Sequence, residues 1–300
     1  MPPDGSTDSS CSAQGGCLCT NILSESGPPN ELNEILYPDS LAIRYKEEVS
    51  DLSDVCLFSS FSFSGNVEEY VFYYLSELKK AGFSIVFIST SALENSCLER
   101  LSQFAFLIIE RENRCPDFGS WKAGLSMLNL QNLNSILLTN DSIFGPFFDL
   151  NNIIFSMKDK YDVWGMSDNY EISYHLQSYF LLFNKQSIQS GIFNRFWRDV
   201  NLAATKDEVI HKYEIGLSKV FKNAGYKLGA YARIDDISQG ADHKVINPLL
   251  VFWKSLITKH QFPFFKRELL IKRKISNDKE LMWNFTTKAM DTAWLNSHRD

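Results

Sequence analysis

The chain has 300 residues and a mass of 34.4 kDa, and 44% of its residues are hydrophobic, so it can bury a substantial core. A formal net charge of −6 provides no global basic field, which argues against nucleic acid as a partner. The longest apolar runs, such as YFLLF, are far shorter than the roughly 20 residues that a membrane-spanning helix needs.

The first 42 residues are predicted to be a disordered leader, because they are rich in Ser, Gly, Pro and Asn and show no sustained periodicity. They begin MPPDGSTDSS, without the basic and apolar regions of a secretory signal, so we expect a cytoplasmic protein. Their cysteine spacing, C-x5-C-x-C, lacks the paired CxxC and the companion histidines of a zinc site. Residues 43–300 are predicted to form one domain.

The next segments alternate between strand and helix patterns. Apolar runs predict strands at 55–60, 83–89 and 104–110, and apolar residues at helical spacing predict helices at 67–78 and 93–102. Strands that alternate with helices indicate an α/β fold whose parallel strands are joined by crossovers.

Two polar segments follow predicted strands. RENRCPDFGSWKAGL (111–125) follows the third strand and runs into a helix predicted at 119–130. The fourth predicted strand, SILLTN (135–140), runs directly into Asp141. In open parallel sheets, ligands bind outside the carboxyl ends of the strands, near the point where strand order reverses. Both segments are therefore expected at one binding site.

The rest of the chain is predicted to contain two further strands and then a mainly helical region. The strands YDVWGMS (161–167) and SYFLLFN (178–184) bracket the polar loop DNYEISYHLQ. Beyond residue 190 helical patterns dominate, and an aromatic, basic segment follows them.

The tripeptide Asn140, Asp141 and Ser142 places a carboxylate at the end of a central strand. A carboxylate there suits Mg²⁺ or Mn²⁺, which are hard cations held by one or two protein oxygens together with the oxygens of a diphosphate. The alternative is that Asn140 and Asp141 only shape a turn, as such residues most often do.

Five blocks of sequence carry a resemblance to a known family. They are RENRCPDFGSWKAGL, NSILLTNDSIFGPF, DVWGMSDNYEISYHLQSYFLLF, YEIGLSKVFKNAGYKL and NPLLVFWKSLITKHQFPFFKRELL. In this order they resemble the rhamnan synthesis protein F family, bacterial glycosyltransferases associated with rhamnose-containing polysaccharides. The likeness runs from about residue 53 to the end. It implies a GT-A-like (Rossmann-like) fold, in which helices flank a mostly parallel central sheet, with a helical C-terminal part in the same domain.

The resemblance also implies where the diphosphate and the general base lie. Asn140, Asp141 and Ser142 stand where such enzymes carry a DXD metal and diphosphate motif. One acid replaces two, which leaves the metal requirement open, and Lys or Arg can substitute at the diphosphate. Glu214 stands where the family places the base that takes the proton from the acceptor hydroxyl. A solvated Glu favoured by the helix dipole is the alternative.

The segment after the third strand supplies further donor contacts. Asp117 is expected to accept from ribose or base donors, Arg111 to face the diphosphate, and Trp121 to wall the pocket, although core packing is an equal alternative for Trp121. By analogy of fold, the nucleotide base is expected near the end of the first strand. The predicted donor-binding residues are Ser60, Phe61, Arg111, Asn113, Asp117, Trp121, Asn140, Asp141 and Ser142.

The loop DNYEISYHLQ is the predicted acceptor rim, because aromatic rings cover the apolar face of a sugar while acids and amides hold its hydroxyls. Asp168, Glu171 and His175 are competing candidates for the base or are acceptor contacts; Asp168 is assigned as the second catalytic candidate, and Glu171, His175 and Gln177 are assigned to the acceptor. His243 is a candidate metal ligand beside Asp141, with an ordinary loop histidine as the alternative.

Between residues 249 and 275 basic residues outnumber the single acid Glu268, and aromatic residues are interleaved with them. One interpretation is a peripheral contact with the inner face of a membrane, which would suit a lipid-linked saccharide acceptor. The favoured interpretation is a helix that packs its aromatic residues into the core and leaves its lysines in water.

We therefore predict a glycosyltransferase of the hexosyltransferase or rhamnosyltransferase type. It is expected to move a sugar, with rhamnose the expected one, from a dTDP or other nucleotide-sugar donor to a saccharide acceptor, with inversion, in cell-surface polysaccharide or lipopolysaccharide synthesis. A non-catalytic carbohydrate- or nucleotide-binding protein that retains the fold is the alternative, because the DXD motif is incomplete. No GxGxxG or GxxxxGK[ST] loop follows the first strand, which argues against dinucleotide and P-loop chemistry.

Overall fold

A nine-stranded mixed sheet forms the centre of the protein. The computed structural model describes residues 41–201, 205–238 and 247–271. The strands are β1 (Leu41–Lys46), β2 (Asp54–Ser60), β3 (Ser84–Ser89), β4 (Ala105–Arg111), β5 (Ser135–Asn140), β6 (Ile143–Phe144), β7 (Val163–Asn169), β8 (His175–Leu176), β9 (Phe180–Asn184), β10 (Leu228–Ala232) and β11 (Phe265–Lys266). The helices are α1 (Glu69–Lys80), α2 (Asn95–Leu101), α3 (Phe118–Leu125), α4 (Leu150–Met157), α5 (Lys185–Ile188), α6 (Gly191–Asp199), α7 (Lys206–Val209), α8 (Ile215–Asn223), α9 (Ile234–Ile237), α10 (Pro248–Val251), α11 (Trp253–His260) and α12 (Arg267–Ile271), with a 3-10 turn at Leu130–Asn132 and a π-helical turn at Ile210–Glu214.

The strands of the main sheet follow the order β1-β4-β3-β2-β5-β9-β7-β10, and β8 pairs with β7. The four strands β4, β3, β2 and β5 are parallel to one another, and β10 is parallel to β7. Only β1 and β9 run against the other strands of this order. The predicted α/β fold, a mostly parallel central sheet flanked by helices, is confirmed.

The strand order reverses between β2 and β5. From β2 the chain moves outward through β3 to β4, and it then returns to the other side of β2 as β5. Ser59 of β2 lies opposite Asn140 of β5 in the register. The carboxyl ends of these two strands are therefore neighbours at the edge of the sheet, which is where open α/β sheets bind their ligands.

Helices cover both faces of the sheet. Successive side chains of a strand point to opposite faces, so neighbouring residues of one strand pack against different helices. Along β2, Cys56 and Phe58 belong to a buried cluster that contains residues of α1 and α11. Val55 and Leu57 belong to a second cluster, which contains residues of α3, α6 and α8. Burial on both faces explains why the central strands are almost continuously apolar.

The structure contains strands that the sequence patterns do not predict. β1 begins at Leu41, two residues before the predicted start of the domain, and β10 lies in the region predicted to be mainly helical. β9 is antiparallel to both of its neighbours. Its direction follows from its connection, because a short return through the loop and β8 replaces the crossover helix that a parallel strand would need.

The C-terminal segment returns to the end of β5. β11 pairs with β6, and the backbone nitrogen of Arg267 donates to the carbonyl of Ser142 at 2.9 Å. Phe262, Phe264 and Phe265 are buried in the core, as the packing interpretation of this segment predicts. Across the described ranges, every helix is too short or too polar to cross a bilayer.

Candidate functional site

A cleft of about 1580 Å³ opens beyond the carboxyl ends of β2 and β5. Ser60 and Phe61 line it from the end of β2, and Asn140 and Asp141 line it from the end of β5. Asp117, at the start of α3, lines the same cleft. The structure thus brings together the two polar segments that the parallel topology predicts at one edge.

Asp141 is held at the cleft wall by the exit from β2. Its Oδ2 atom accepts from the Ser60 hydroxyl at 2.8 Å and from the Phe61 backbone nitrogen at 3.0 Å. Burial raises the pKa of Asp141, while these hydrogen bonds and the positive charge of Arg267 oppose that rise. The turn itself is shaped by Asn140, whose Oδ1 atom accepts from the hydroxyl of Ser142 at 2.6 Å. The side chain of Asn140 thus stabilises the turn, whereas the side chain of Asp141 accepts hydrogen bonds from the end of β2.

Asp117 lies beside Asn140, whose Nδ2 atom donates to Asp117 Oδ2 at 2.9 Å. Its backbone φ is +59° with ψ −71°, a positive-φ conformation outside the left-handed helical region and rare for residues other than Gly. Burial raises the pKa of Asp117 to about 6, and the nearby charge of Asp141 adds to the rise. Hydrogen bonds from Ser59 and Asn140 act in the opposite direction. The site therefore holds two carboxylates that resist being charged together.

The carboxylates of Asp117 and Asp141 could supply only part of the ligand shell of a hard divalent cation. No group of three or more His, Cys, Asp or Glu side chains that could bind a metal occurs among the described residues. Mg²⁺ is commonly bound by one or two carboxylates together with substrate phosphates, and Asp117 and Asp141 supply that number. A cation would also favour the charged forms that burial disfavours. His243, the other predicted metal ligand, lies outside the described residues.

Asp117→Asn is expected to remove a pH-dependent loss of stability. The folded-state pKa, about 6, is above the ordinary value of 3.8, so the folded protein loses stability as pH rises through this interval. Two pKa units correspond to roughly 3 kcal/mol, so the variant should be about 1–3 kcal/mol more stable than the wild type at pH 8, and the difference should shrink to less than about 1 kcal/mol at pH 4. Denaturant unfolding at both pH values measures the difference.

Asp159→Asn is the matched control, because Asp159 is an exposed aspartate that also has a positive φ, +62°. This control makes the same Asp-to-Asn change at a positive φ but at an exposed site outside the cleft. An Asp117→Asn difference that is the same at pH 4 and pH 8 would contradict the buried-charge explanation.

Glu214 lines the cleft from the π-helical turn that precedes α8. Its Oε1 atom accepts from the backbone nitrogen of Ser178 at 2.7 Å, and in the described part of the chain Oε2 has no hydrogen-bond partner. Glu214 is close enough for its charge to contribute to the raised pKa of Asp117. The carboxylate is thus held at the cleft with one oxygen available, which is the geometry that a general base requires.

The predicted acceptor residues share the cleft with Glu214. Glu171 is exposed at the rim, whereas His175 and Gln177 line the cleft although each is only 3% exposed. Asn113 and Ser142 also line the cleft. All these residues are where the sequence analysis placed them, while their roles stay predictions.

Arg111 and Trp121 do not line the cleft, so the structure contradicts their predicted donor contacts. The Arg111 guanidinium donates to the Ser120 hydroxyl at 3.1 Å and to the carbonyl of Arg114, so it braces the turn before α3. Gly119 leaves room for it, because a Cβ there would lie 2.8 Å from Nη2. Trp121 is fully buried, and its indole nitrogen donates to the Thr139 carbonyl at 3.1 Å. Core packing is therefore the correct alternative for Trp121.

Asp168 is also not a cleft residue, which corrects its prediction as a competing base. β7 extends to Asn169, so Asp168 lies within a strand and is 2% exposed. Its Oδ1 atom accepts from the backbone nitrogen of Ile234 at 2.7 Å. Successive strand residues face opposite ways, and it is the neighbouring Asn169 that lines the cleft. Asp168 therefore holds the start of α9 in place.

Arg267 and Tyr70 are cleft residues that the sequence analysis does not assign to the site. Arg267 Nη1 donates to the Tyr70 hydroxyl at 3.4 Å, and the Tyr70 hydroxyl donates to the Asp141 carbonyl at 2.8 Å. The segment PFFKRELL signals only a basic, aromatic stretch, and no local pattern places its arginine beside Asp141. The pairing of β11 with β6 is what brings it there.

Comparison with known proteins gives one family. The family model described as rhamnan synthesis protein F matches residues 85–291, which is more than half of the chain. Virulence protein VirA of Vibrio anguillarum (strain ATCC 68554 / 775) is 31% identical over 193 residues, covering 55% of this chain and 62% of VirA. Uncharacterized protein y4gN of Sinorhizobium fredii is 28% identical over 207 residues, covering 66% of this chain and 54% of that protein. The chain thus spans less than two thirds of the length of these relatives.

Solved structures give more distant likenesses. A putative nucleotide-diphospho-sugar transferase from Desulfovibrio desulfuricans G20 has 9% identity and a TM-score of 0.37, covering 78% of this chain and 99% of that one. The glycosyltransferase GlyE of Streptococcus pneumoniae TIGR4 has 10% identity and a TM-score of 0.37, covering 83% of this chain and 63% of that one.

Proposed function

This chain belongs to the rhamnan synthesis protein F family, and on that premise we propose that it is a GT-A-like glycosyltransferase that transfers a sugar from a nucleotide-sugar donor to a saccharide hydroxyl. Family and mixed α/β fold together support a role in sugar transfer. The finer proposal is that the sugar is rhamnose, that the configuration inverts, and that the product is a cell-surface polysaccharide or lipopolysaccharide.

One observation carries the proposal. Asp117 and Asp141 meet at the reversal of strand order, in one cleft with Glu214. A nucleotide sugar needs a site for its diphosphate, and the reaction needs a base near the anomeric carbon. Asp141 at the end of β5 and Asp117 at the start of α3 support the first need, and Glu214 on the π-helical turn supports the second.

The diphosphate subsite is proposed at Asp141, Asp117 and Arg267. If Mg²⁺ or Mn²⁺ binds there, the two carboxylates would hold it, and it would offset the charge that builds up on the departing diphosphate. Arg267 adds a guanidinium suited to phosphate oxygens, and its positive charge partly opposes the rise in the pKa of Asp141 that burial causes. This guanidinium supplies the basic contact that a single-acid motif requires.

The reaction is proposed as a direct displacement. The acceptor hydroxyl attacks the anomeric carbon, the bond from that carbon to the diphosphate oxygen breaks, and Glu214 takes the hydroxyl proton. Positive charge develops on the sugar ring as in glycoside hydrolysis. The Ser178 backbone nitrogen holds Glu214 Oε1 and so orients the carboxylate for this step.

The proposal is tested by nucleotide-sugar hydrolysis with and without Mn²⁺, together with calorimetric titration of nucleoside diphosphates. A nucleotide-sugar panel read by thermal stabilisation then identifies the donor, because a ligand that binds only the folded state raises its apparent stability. Nucleotide binding without any turnover would favour the non-catalytic alternative. Absence of any nucleotide affinity would overturn the proposal.

Arg267→Ala is expected to weaken nucleoside diphosphate binding by roughly tenfold or more, because a charged hydrogen bond to phosphate is lost. Arg267→Lys should retain part of the affinity, since it keeps the charge but not the planar fork. Calorimetric titration of dTDP and UDP measures both effects. The control is Arg44→Ala, because Arg44 lies on β1 and pairs with Glu110 outside the cleft. Equal affinity in Arg267→Ala and Arg44→Ala would remove Arg267 from the subsite.

A further inference from the structure

A chain of buried hydroxyl groups ends at Gln177 in the cleft. The hydroxyls of Tyr179 and Ser167 are 2.7 Å apart, and the Ser167 hydroxyl donates to Gln177 Oε1 at 2.7 Å. All three residues are nearly fully buried, at 4%, 0% and 3% exposure. Buried polar groups are expected to use all of their protons, so the direction of each bond can be worked out.

The proton count determines which way the Gln177 amide faces. Ser167 has a single hydroxyl proton, which goes to the Gln177 carbonyl, so Ser167 accepts from Tyr179. With the amide reversed, Ser167 would donate to Tyr179, and the Tyr179 hydroxyl proton would have no acceptor in the described ranges. A buried donor without an acceptor is costly, so the first arrangement is favoured.

This arrangement leaves the amide nitrogen of Gln177 as a pure donor. Gln177 lines the cleft, and among the described residues its Nε2 atom has no hydrogen-bond partner. Gln177 Nε2 is not among the described buried side-chain atoms that are cut off from solvent without a partner, so it faces the open cleft and can bond a ligand there. Because Nε2 carries two N–H groups and no lone pair for bonding, its partner must be an acceptor.

His175 offers the complementary group two residues earlier. Its Nδ1 atom lies 2.8 Å from the carbonyl of Ser173, and a carbonyl can only accept, so Nδ1 carries the proton. In the neutral ring Nε2 is then an acceptor. Side chains two residues apart along an extended chain share a face and are about 7 Å apart, close enough to contact one small ligand.

Gln177 thus presents a fixed donor beside a fixed acceptor on His175. From this juxtaposition we propose that the two residues bind a pair of adjacent hydroxyls on the acceptor sugar. One hydroxyl donates to His175 Nε2 and its neighbour accepts from Gln177 Nε2. Ser167 and Tyr179 are positioning residues that hold the amide in this orientation. This inference rests on the proposed glycosyltransferase function, and it adds the acceptor class: a pyranoside with vicinal hydroxyls.

The location supports the assignment to the acceptor rather than the donor. Ser178, between Gln177 and Tyr179, donates its backbone N–H to Glu214, the proposed base. The segment that carries Gln177 therefore also holds the base Glu214 through this hydrogen bond, so a sugar bound by His175 and Gln177 is presented to Glu214. The diphosphate subsite at Asp141 belongs to a different segment of the chain.

The test uses the full chain with two probes, dTDP for the donor side and methyl α-L-rhamnopyranoside for the acceptor side. The binding affinity of each probe is measured by calorimetry or ligand-observed NMR. The 2-, 3- and 4-deoxy analogues of the pyranoside complete the set. On the wild type, two analogues lacking neighbouring hydroxyls should bind roughly ten- to a hundredfold more weakly. Gln177→Glu replaces the donor with an acceptor, so this variant should bind the parent pyranoside weakly. Removing the hydroxyl that Gln177 contacts should then cause no further loss of affinity, whereas removing the hydroxyl that His175 contacts should still weaken binding.

Ser167→Ala and Tyr179→Phe test the positioning role. Both should weaken binding of the pyranoside about tenfold and leave dTDP affinity unchanged, a split that general misfolding would not produce. Gln189→Glu is the matched control, since Gln189 is an exposed glutamine that bonds the Gln131 carbonyl away from the cleft. It should match the wild type with both probes.

Two results would overturn the inference while the proposed function stands: dTDP binds but the pyranoside does not, or Gln177→Glu binds the pyranoside and its analogues as the wild type does. Failure of dTDP and other nucleoside diphosphates to bind would instead overturn the proposed function itself.

Discussion

Asp141→Ala is expected to reduce sugar transfer by at least roughly a hundred- to a thousandfold, the loss typical when a group that stabilises transition-state charge is removed. Asp141 is the acid at the end of β5, and two groups of the β2 exit hold its Oδ2 atom in place. Turnover of the identified nucleotide sugar, measured with saturating Mn²⁺, gives the effect on the rate.

The Asp141→Asn variant separates charge from geometry. An asparagine retains an oxygen that can accept from Ser60 and Phe61, but it has no charge for a cation. Equal losses in the Ala and Asn variants would therefore assign the effect to the charge. Glu99→Gln, which neutralises an exposed acid of α2, is the control and should keep full activity.

Folding has to be separated from the loss of turnover. Asp141→Ala leaves the Ser60 hydroxyl and the Phe61 N–H without their acceptor, so it is expected to be less stable than the wild type, whereas Asp141→Asn retains an oxygen that can accept from both. Thermal unfolding of the three proteins measures this difference, and turnover is compared per folded molecule at a temperature where all three are folded. Turnover near the wild-type level in Asp141→Ala would remove Asp141 from the proposed subsite.

Glu214→Gln is expected to lower kcat by a hundred- to ten-thousandfold while leaving the KM for the donor nearly unchanged. Glutamine keeps a carbonyl oxygen for the Ser178 backbone N–H, so the side chain should stay in place but cannot take a proton. Steady-state kinetics with varied donor and varied acceptor separates the two parameters.

Asp168→Asn is the matched comparison, because both acids accept one hydrogen bond from a backbone nitrogen but only Glu214 lines the cleft. We expect Asp168→Asn to change stability and to leave kcat per folded molecule at the wild-type level. The reverse result, with kcat lost in Asp168→Asn and retained in Glu214→Gln, would exchange the two assignments.

The predicted strands agree with the structure where burial is strongest. The runs at 55–60, 83–89, 104–110 and 135–140 became β2 to β5 with shifts of one residue at most. A strand buried on both faces must be apolar throughout, so its sequence carries a strong signal. The two-residue strands β6, β8 and β11 contain too few residues for any periodicity to be visible.

Local sequence predicts site residues well when their position depends on the end of a strand, and poorly when it depends on the direction of a side chain. Asn140 and Asp141 follow a predictable strand end and line the cleft. Arg111 and Trp121 come from an equally polar, well-placed segment, yet one braces a turn and the other packs into the core. Both outcomes depend on which side of α3 and β4 faces the neighbouring helices, and that is a tertiary property.

By itself, the sequence determined the alternating α/β order, the edge at which the acids gather and the family, because each depends on runs of neighbouring residues. Only the tertiary structure decided that Asp168 faces away from the cleft, that Glu214 sits on a π-helical turn, and that Arg267 reaches Tyr70 from 197 residues away. These features are set by strand register and by pairing between distant segments. Their contacts gain energy only after the chain has folded, so they leave no periodic trace in the local sequence.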